Sequence, residues 1–268
     1  EPGAVVDRIW DLSTVEALLE DAADAARMLD DACKRCGCPP PQFALKTVAD
    51  ADWVRASQAQ FAPIRVSSRL WIVPTWHAPV DEKAINIVLD PGLAFGTGSH
   101  PTTQLCLNWL EASIRGGESV LDYGCGSGIL AIAAAKLGAA RVEAVDIDPA
   151  AVQSTRDNAR HNGVTVHVRL PEDSDNGNEQ PGYSLVLANI LATPLRLLAP
   201  LLGGQVVSGG WLILAGILER QADELRRAYA PHFPIDVLDS EEGWILMGGR
   251  RPVDRLPPCA RPGAASDR

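Results

Sequence analysis

The sequence predicts an α/β fold: a doubly wound, mostly parallel sheet with an antiparallel strand at its C-terminal end. Three observations carry that expectation. First, Val120 to Gly128 reads Val-Leu-Asp-Tyr-Gly-Cys-Gly-Ser-Gly, and an apolar helix pattern from Ile129 to Leu137 follows at once, with Gly138 as its stop. Strand, glycine loop and helix in that order open a nucleotide-type site, where missing β-carbons let a ligand lie against the backbone. Second, short apolar strands alternate with helical stretches downstream, the pattern of a parallel sheet with crossover helices. Third, Ile235 to Leu238 and Trp244 to Met247 read as a closing antiparallel pair.

The whole chain bounds the answer further. Its 268 residues can hold one sizeable domain and a smaller unit, and 46% apolar residues suffice for a buried sheet. A formal charge of −10, from 34 acidic and 24 basic residues, does not suit a non-specific grip on phosphate backbones. No direct nucleic-acid partner is expected, and a basic partner suits the surface better. No run of eighteen apolar residues marks a membrane span. The six cysteines form no secreted disulfide framework, so cytosol is the expected compartment, and the chain is expected to be a monomer.

Taken in order, residues 1 to 47 read as part of a small α/β unit. Val5 to Trp10 is a candidate strand, and Ser13 or Thr14 caps a helix running to about Leu29. Cys33, Cys36 and Cys38 are expected as free thiols in a loop before three prolines, because no second Cys/His pair lies at zinc spacing; no metal is expected. Phe43 to Thr47 reads as a short strand. Residues 48 to 83 form an aromatic-rich linker, with a short helix over Asp52 to Phe61 and a strand over Arg69 to Pro74. Its four large aromatics, Trp53, Phe61, Trp71 and Trp76, are expected to pack against a neighbouring domain.

From 84 to 250 lies the main domain. Ile85 to Leu89 is a strand, and the polar, glycine-rich loop Asp90 to Thr103 leads into a helix from Pro101 to about Ile114, where proline suits the first turn. Such a loop beside a nucleotide fold is where an active-site lid belongs. The glycine motif has Ile129 where a dinucleotide fingerprint needs a sixth-position Gly or Ala, so phosphate-aimed N–H groups are not its purpose. Arg141 to Ile147 is the next strand. Asp146 at its end is placed to accept from ribose hydroxyls, while Asp148-Pro149 caps a helix to about His161. Val164 to Val168, Ser184 to Ala188 and Trp211 to Gly216 are further strands, with a polar loop over Pro171 to Gly182 and a helix over Glu219 to Tyr229. Residues 251 to 268, rich in proline, read as a disordered tail.

With these residues assembled, Asp90 to Thr103, Val120 to Gly128, Asp146-Ile-Asp-Pro149 and Asn189-Ile-Leu-Ala192 together resemble the ribosomal protein L11 methyltransferase family. The resemblance extends from about Arg8 to Gly249. It implies a Rossmann-like class I methyltransferase sheet behind part of a small ferredoxin-like domain that holds the substrate. It also implies that the chain starts inside that domain, without its first strand and helix. The implied activity is transfer of methyl groups from S-adenosylmethionine to lysine side chains and the N-terminal amine of a large-subunit ribosomal protein. Carried over by position, the cofactor contacts fall on Thr103, Gly124, Asp146 and Asn189.

The residues themselves add Asp122 as the carboxylate near the cofactor's ammonium, Gly126 for backbone room and Phe95 as an aromatic wall. Asn189, at a strand's carboxyl end, offers a carbonyl that can orient an amine. His100 either assists proton loss or stabilises its loop. Cys125 reads as a small residue, since sulfonium transfer needs no enzyme nucleophile. Two rivals stand beside this reading: a methyltransferase acting on another protein, RNA or a small molecule, and a non-catalytic remnant that only holds the cofactor.

Overall fold

The structure is a computed structural model that describes residues 22–39, 41–45, 61–89, 98–173 and 182–253. Contacts divide the chain into two units, Glu1–Ala56 and Ser57–Arg268. Val5 to Trp10 and most of the expected 52–61 helix lie outside the described residues, as does the tail from 254 onward.

In the smaller unit, helix α1 spans Ala22–Cys36. It does not stop near Leu29, and Cys33 and Cys36 lie on it rather than in a loop. The acidic pair at 30 and 31 does not break the helix: Asp30 takes Lys34 one turn on at 2.6 Å, and Lys34 and Arg35 suit the negative end of the helix dipole. Gly37 supplies the stop at φ +67°, and Cys38 N–H returns to Cys33 O at 3.2 Å in a glycine C-cap. Phe43 to Leu45, expected as the start of a strand, forms none, and Phe43 and Leu45 lie exposed. A strand needs a partner edge, and none pairs with it among the described residues.

The larger unit carries two sheets. The small one joins β1 (Ile64–Arg65), β2 (Leu70–Pro74) and β3 (Ile85–Leu89), with β1 antiparallel to β2 and β2 parallel to β3. Stretches read as linker are thus built into this unit, and Leu70, Ile72, Ile87 and Leu89 join its main core. The linker aromatics of this unit pair with local partners: Phe61 meets Trp76 edge-on at 6.4 Å, and the Arg65 guanidinium lies over Trp71.

The large sheet follows from α2 (Pro101–Ser113), β4 (Ser119–Tyr123), α3 (Ile129–Lys136), β5 (Arg141–Val145), α4 (Pro149–His161) and β6 (His167–Arg169). It continues through β7 (Tyr183–Asn189), α5 (Ala192–Leu197), α6 (Ala199–Gln205), β8 (Val206–Leu218), α7 (Ala222–Tyr229), β9 (Asp236–Glu241) and β10 (Trp244–Arg250). Strand order is β6-β5-β4-β7-β8-β10-β9; all neighbours are parallel except β8-β10 and β10-β9. The doubly wound sheet with an antiparallel end is therefore present.

Its two cores follow from strand alternation. Val120, Val142, Ala144, Leu185, Leu187 and Ile213 face one core, shared with α2, α3 and α4, whereas Leu121, Val145, Val186, Leu212 and Leu214 face the other, shared with α5, α6 and α7. Buried Glu143 ties three strands together, accepting from Arg169 Nε and from Tyr183 O–H, each at 2.6 Å. Among the described residues no helix is long and apolar enough to cross a membrane.

Candidate active site

Three strand ends and one helix start converge at the carboxyl edge of the large sheet, on both sides of the β4/β7 junction where the strand order reverses. That junction is where open α/β sheets leave a crevice for ligands.

The glycine loop forms the floor. Gly124, Gly126 and Gly128 have φ of +82°, +55° and +79°, conformations that side chains with a β-carbon rarely adopt. Gly124 and Cys125 donate N–H to Val145 O at 2.7 and 3.1 Å, bending the chain over the end of β5. A β-carbon on Gly124 would collide with Ile190 Cγ2, and one on Gly128 with Thr155. The loop is held from beneath by α4: buried Thr155 donates to Gly126 O at 2.9 Å and buried Asn158 to Ser127 O at 2.8 Å. Tying down these carbonyls fixes the turn.

Two carboxyl groups flank the loop. Asp122, on β4, is only 1% exposed. Its Oδ2 accepts from Ala131 N–H at the start of α3, at 3.1 Å, while Oδ1 is buried with no partner among the described residues. Burial pushes this carboxyl up to about 7; the Ala131 hydrogen bond pulls the other way, and the neighbouring Asp146 adds repulsion. Asp146, just past β5, is oriented at both oxygens, Oδ2 by Gly126 N–H at 2.9 Å and Oδ1 by Asp148 N–H at 3.0 Å. Each oxygen keeps a lone pair for a hydroxyl. Asp148 is the N-cap of α4, accepting from Ala150 N–H at 2.8 Å.

Across the junction, Asn189 ends β7. Its Nδ2 donates to Thr103 Oγ1 at 3.4 Å, a contact between residues far apart in sequence that joins β7 to the first turn of α2. With Nδ2 so engaged, Oδ1 remains available as an acceptor. Ile190 behind it has room only because two neighbours are glycines: a β-carbon at Gly124 would strike its side chain, and one at Gly216, at φ +81° in β8, its backbone. His100 is the N-cap of α2, with Nδ1 accepting from Thr102 N–H at 3.3 Å and meeting Thr102 Oγ1 at 2.9 Å; its ring stands edge-on to Trp244 at 4.9 Å.

Thus Asp122, Gly124, Gly126 and Asp146 surround one loop, and Thr103, Asn189 and His100 gather at the adjoining helix start. Phe95 lies outside the described residues. Cys125 is buried against Thr155, and burial together with Asp122 raises its thiol well above the ordinary range, so it presents no thiolate. Sequence reasoning missed Thr155, Asn158 and Ile147. Ile147 stands 80% exposed between the two aspartates, an apolar side chain with no core to fill. Its signal was present: an isoleucine between two acids at a helix start is out of place in a purely solvated turn.

Comparison with known proteins agrees with this architecture. A family model for ribosomal protein L11 methyltransferase matches residues 1–252. Proteins of that name from Laribacter hongkongensis and Thiobacillus denitrificans are 53% and 54% identical, covering 94% and 93% of this chain and 84% and 83% of their own lengths. The crystal structure of a ribosomal protein L11 methylase from Lactobacillus delbrueckii subsp. bulgaricus superposes with a TM-score of 0.62 at 36% identity, over 71% of this chain and all of that one. A Thermus thermophilus 16S rRNA N2 methyltransferase in complex with AdoMet and guanosine gives a TM-score of 0.50 at 19% identity over 59% of this chain and 45% of that one, a likeness of fold alone. On the strength of the family match over nearly its whole length, this chain belongs to the ribosomal protein L11 methyltransferase family.

Proposed function

We propose that this chain transfers methyl groups from S-adenosylmethionine to amino groups of ribosomal protein L11, on lysine side chains and the N-terminal amine, in the cytoplasm. Family membership supports the reaction class. The observation that carries it to these residues is the buried, unpartnered Oδ1 of Asp122 beside a loop with no β-carbons at three positions.

The residues fit the cofactor. Gly124 and Gly126 leave backbone room, Asp146 presents two oriented oxygens to the ribose, Ile147 offers an apolar face to the base, and Asp122 lacks the donor that an ammonium group supplies. When bound, S-adenosylmethionine supplies an electrophilic methyl group on a sulfonium. Everything else falls to the chain. A lysine amine, with a reference pKa of ~10.4, must lose its proton before its lone pair can attack. Removal from water lowers that pKa, which reduces the need for a strong base. Asn189 Oδ1 accepts an N–H of the amine and turns its lone pair, while Thr103 holds the amide at its other end. Positioning of this kind supplies much of the acceleration in a reaction whose electrophile is already activated. His100 acts here by capping α2 and so placing Thr103.

Recognition of the protein substrate belongs in this reading to residues 1–47, with 84–250 as the catalytic domain. The test is direct: incubate the chain with S-adenosylmethionine and purified L11, and follow intact mass. Stepwise gain of methyl groups on L11 is expected. Methylation of RNA or of a small amine with L11 untouched would replace this reading with its rival.

A further inference from the structure

We propose that Asp122 Oδ1 receives the α-ammonium group of S-adenosylmethionine and gives up its own proton as that cation arrives, so that cofactor capture is coupled to release of one proton. This rests on the functional reading above and adds a charge requirement to it.

The geometry carries the argument. Asp122 is 1% exposed, Oδ2 is committed to Ala131 N–H, and Oδ1 has neither a donor among the described residues nor water-exposed surface. Ionised, the carboxylate would be a buried charge with a single hydrogen bond, on Oδ2 alone; protonated at Oδ1, its O–H would lack an acceptor. Either form is incomplete, and a cationic N–H donor completes only the ionised one. The groups around it favour the neutral form until such a donor comes. Asp146 faces it from the end of β5 with a second carboxyl, and Cys106 from α2 and Cys125 from the loop add buried thiols rather than cations. Only the Ala131 N–H at the head of α3 opposes them. Among the described residues neither carboxylate takes part in a salt bridge.

Burial and the second carboxylate together hold this carboxyl near 7, so below neutrality the free site keeps its proton. The balance is simple. The O–H bond of Asp122 breaks, the proton passes to solvent, and the carboxylate pairs with the incoming ammonium; no electrons change hands. A ligand without an ammonium has nothing to offer in exchange. The coupling therefore discriminates by the amino-acid end of the cofactor and not by its adenosine.

Titration calorimetry on the whole chain, in buffers of low and high ionisation heat, measures the protons released. Work below pH 7.5 keeps the ligand's own α-amino group largely protonated. S-adenosylmethionine and S-adenosylhomocysteine are both expected to release close to one proton at pH 5.5, and to bind roughly twentyfold more tightly at pH 7.5 than at pH 5.5. Methylthioadenosine, which lacks the amino-acid end, is expected to show neither effect. Asp122→Asn has no proton to lose and should bind S-adenosylmethionine independently of pH. Tight S-adenosylmethionine binding without proton release, or equal release with methylthioadenosine, would overturn the coupling while leaving the functional reading in place. Linkage that survives in Asp122→Asn would assign the proton to another group and overturn it as well. Should that variant fail to fold, the contrast between S-adenosylmethionine and methylthioadenosine on the natural chain decides alone. Failure to bind S-adenosylmethionine at any pH would take down both readings together.

Discussion

Asp146 and Asp148 stand two positions apart and carry different loads. Asp146 is held at both oxygens by backbone N–H groups and faces the glycine loop; Asp148 caps α4. Asp146→Ala should therefore weaken S-adenosylmethionine binding by about ten- to a hundredfold, from loss of a charged acceptor worth ~1.5–3 kcal/mol. Asp148→Ala should leave affinity alone and cost about 1 kcal/mol of stability through the lost cap. Calorimetry and urea unfolding of the two variants would reverse the assignment if the effects came out exchanged. Asn189 makes a different prediction. Because its amide holds Thr103 and, in the proposed function, orients the substrate amine, Asn189→Ala should lower kcat more than it raises the cofactor Kd. A variant with poor cofactor affinity but normal turnover at saturation would remove the amine-orienting role.

At the scale of elements, α4 does more than cross over between strands. Thr155, Asn158 and the C-cap Asn162 form one polar row. The first two hold the carbonyls of Gly126 and Ser127, and Asn162 pairs with both backbone groups of Val88 in β3, at 2.8 and 2.6 Å. One helix face thereby sets the glycine loop and the small sheet in register. Thr155→Val keeps the shape and loses the hydroxyl, leaving Gly126 O without that donor. Several-fold weaker S-adenosylmethionine binding with near-normal kcat is expected, with recovery in Thr155→Ser; a loss of kcat at saturating cofactor in both variants would contradict a loop-holding role. None of this row was legible in the sequence, since Thr and Asn on a helix read as solvated face. What was legible had strong local punctuation: β4, its glycine loop and α3, and the proline starts of α2 and α4, all stand within a residue or two of expectation. Elements defined by partners were harder. β1 is two residues long, the strand expected over Val164 to Val168 begins at His167, and β8 runs from Val206 to Leu218 where Trp211 to Gly216 was expected. Helices α5 and α6, unforeseen, carry Pro194, Pro200 and a Gly-Gly pair, which lowers helix propensity; the buried side chains of Leu195 and Leu202 against the sheet override it.

At the scale of the whole molecule, the proposed function separates chemistry and substrate capture by position in the chain. Every residue that the proposed function sets against cofactor or amine lies between Thr103 and Asn189, inside the unit Ser57–Arg268. The unit Glu1–Ala56 contributes no residue to that group. Binding interactions remote from the reacting atoms govern affinity for a large substrate, whereas those at the reacting atoms govern turnover. If the front unit recognises the ribosomal protein, a fragment of residues 57–268 should bind S-adenosylmethionine with a Kd within a few-fold of the intact chain, because the loop, both carboxylates and α4 are all retained. Its half-saturation concentration for intact L11 should rise at least tenfold, the loss of about 1.4 kcal/mol or more of contact. A short lysine peptide never engages the front unit, so its kcat/KM should be nearly the same with either form. The peptide arm guards against a damaged fragment, since misfolding would depress both substrates alike. An unchanged half-saturation for L11 with the fragment would place recognition in the catalytic unit itself, and the exposed Leu191 beside Asn189 would then be the first residue to mutate.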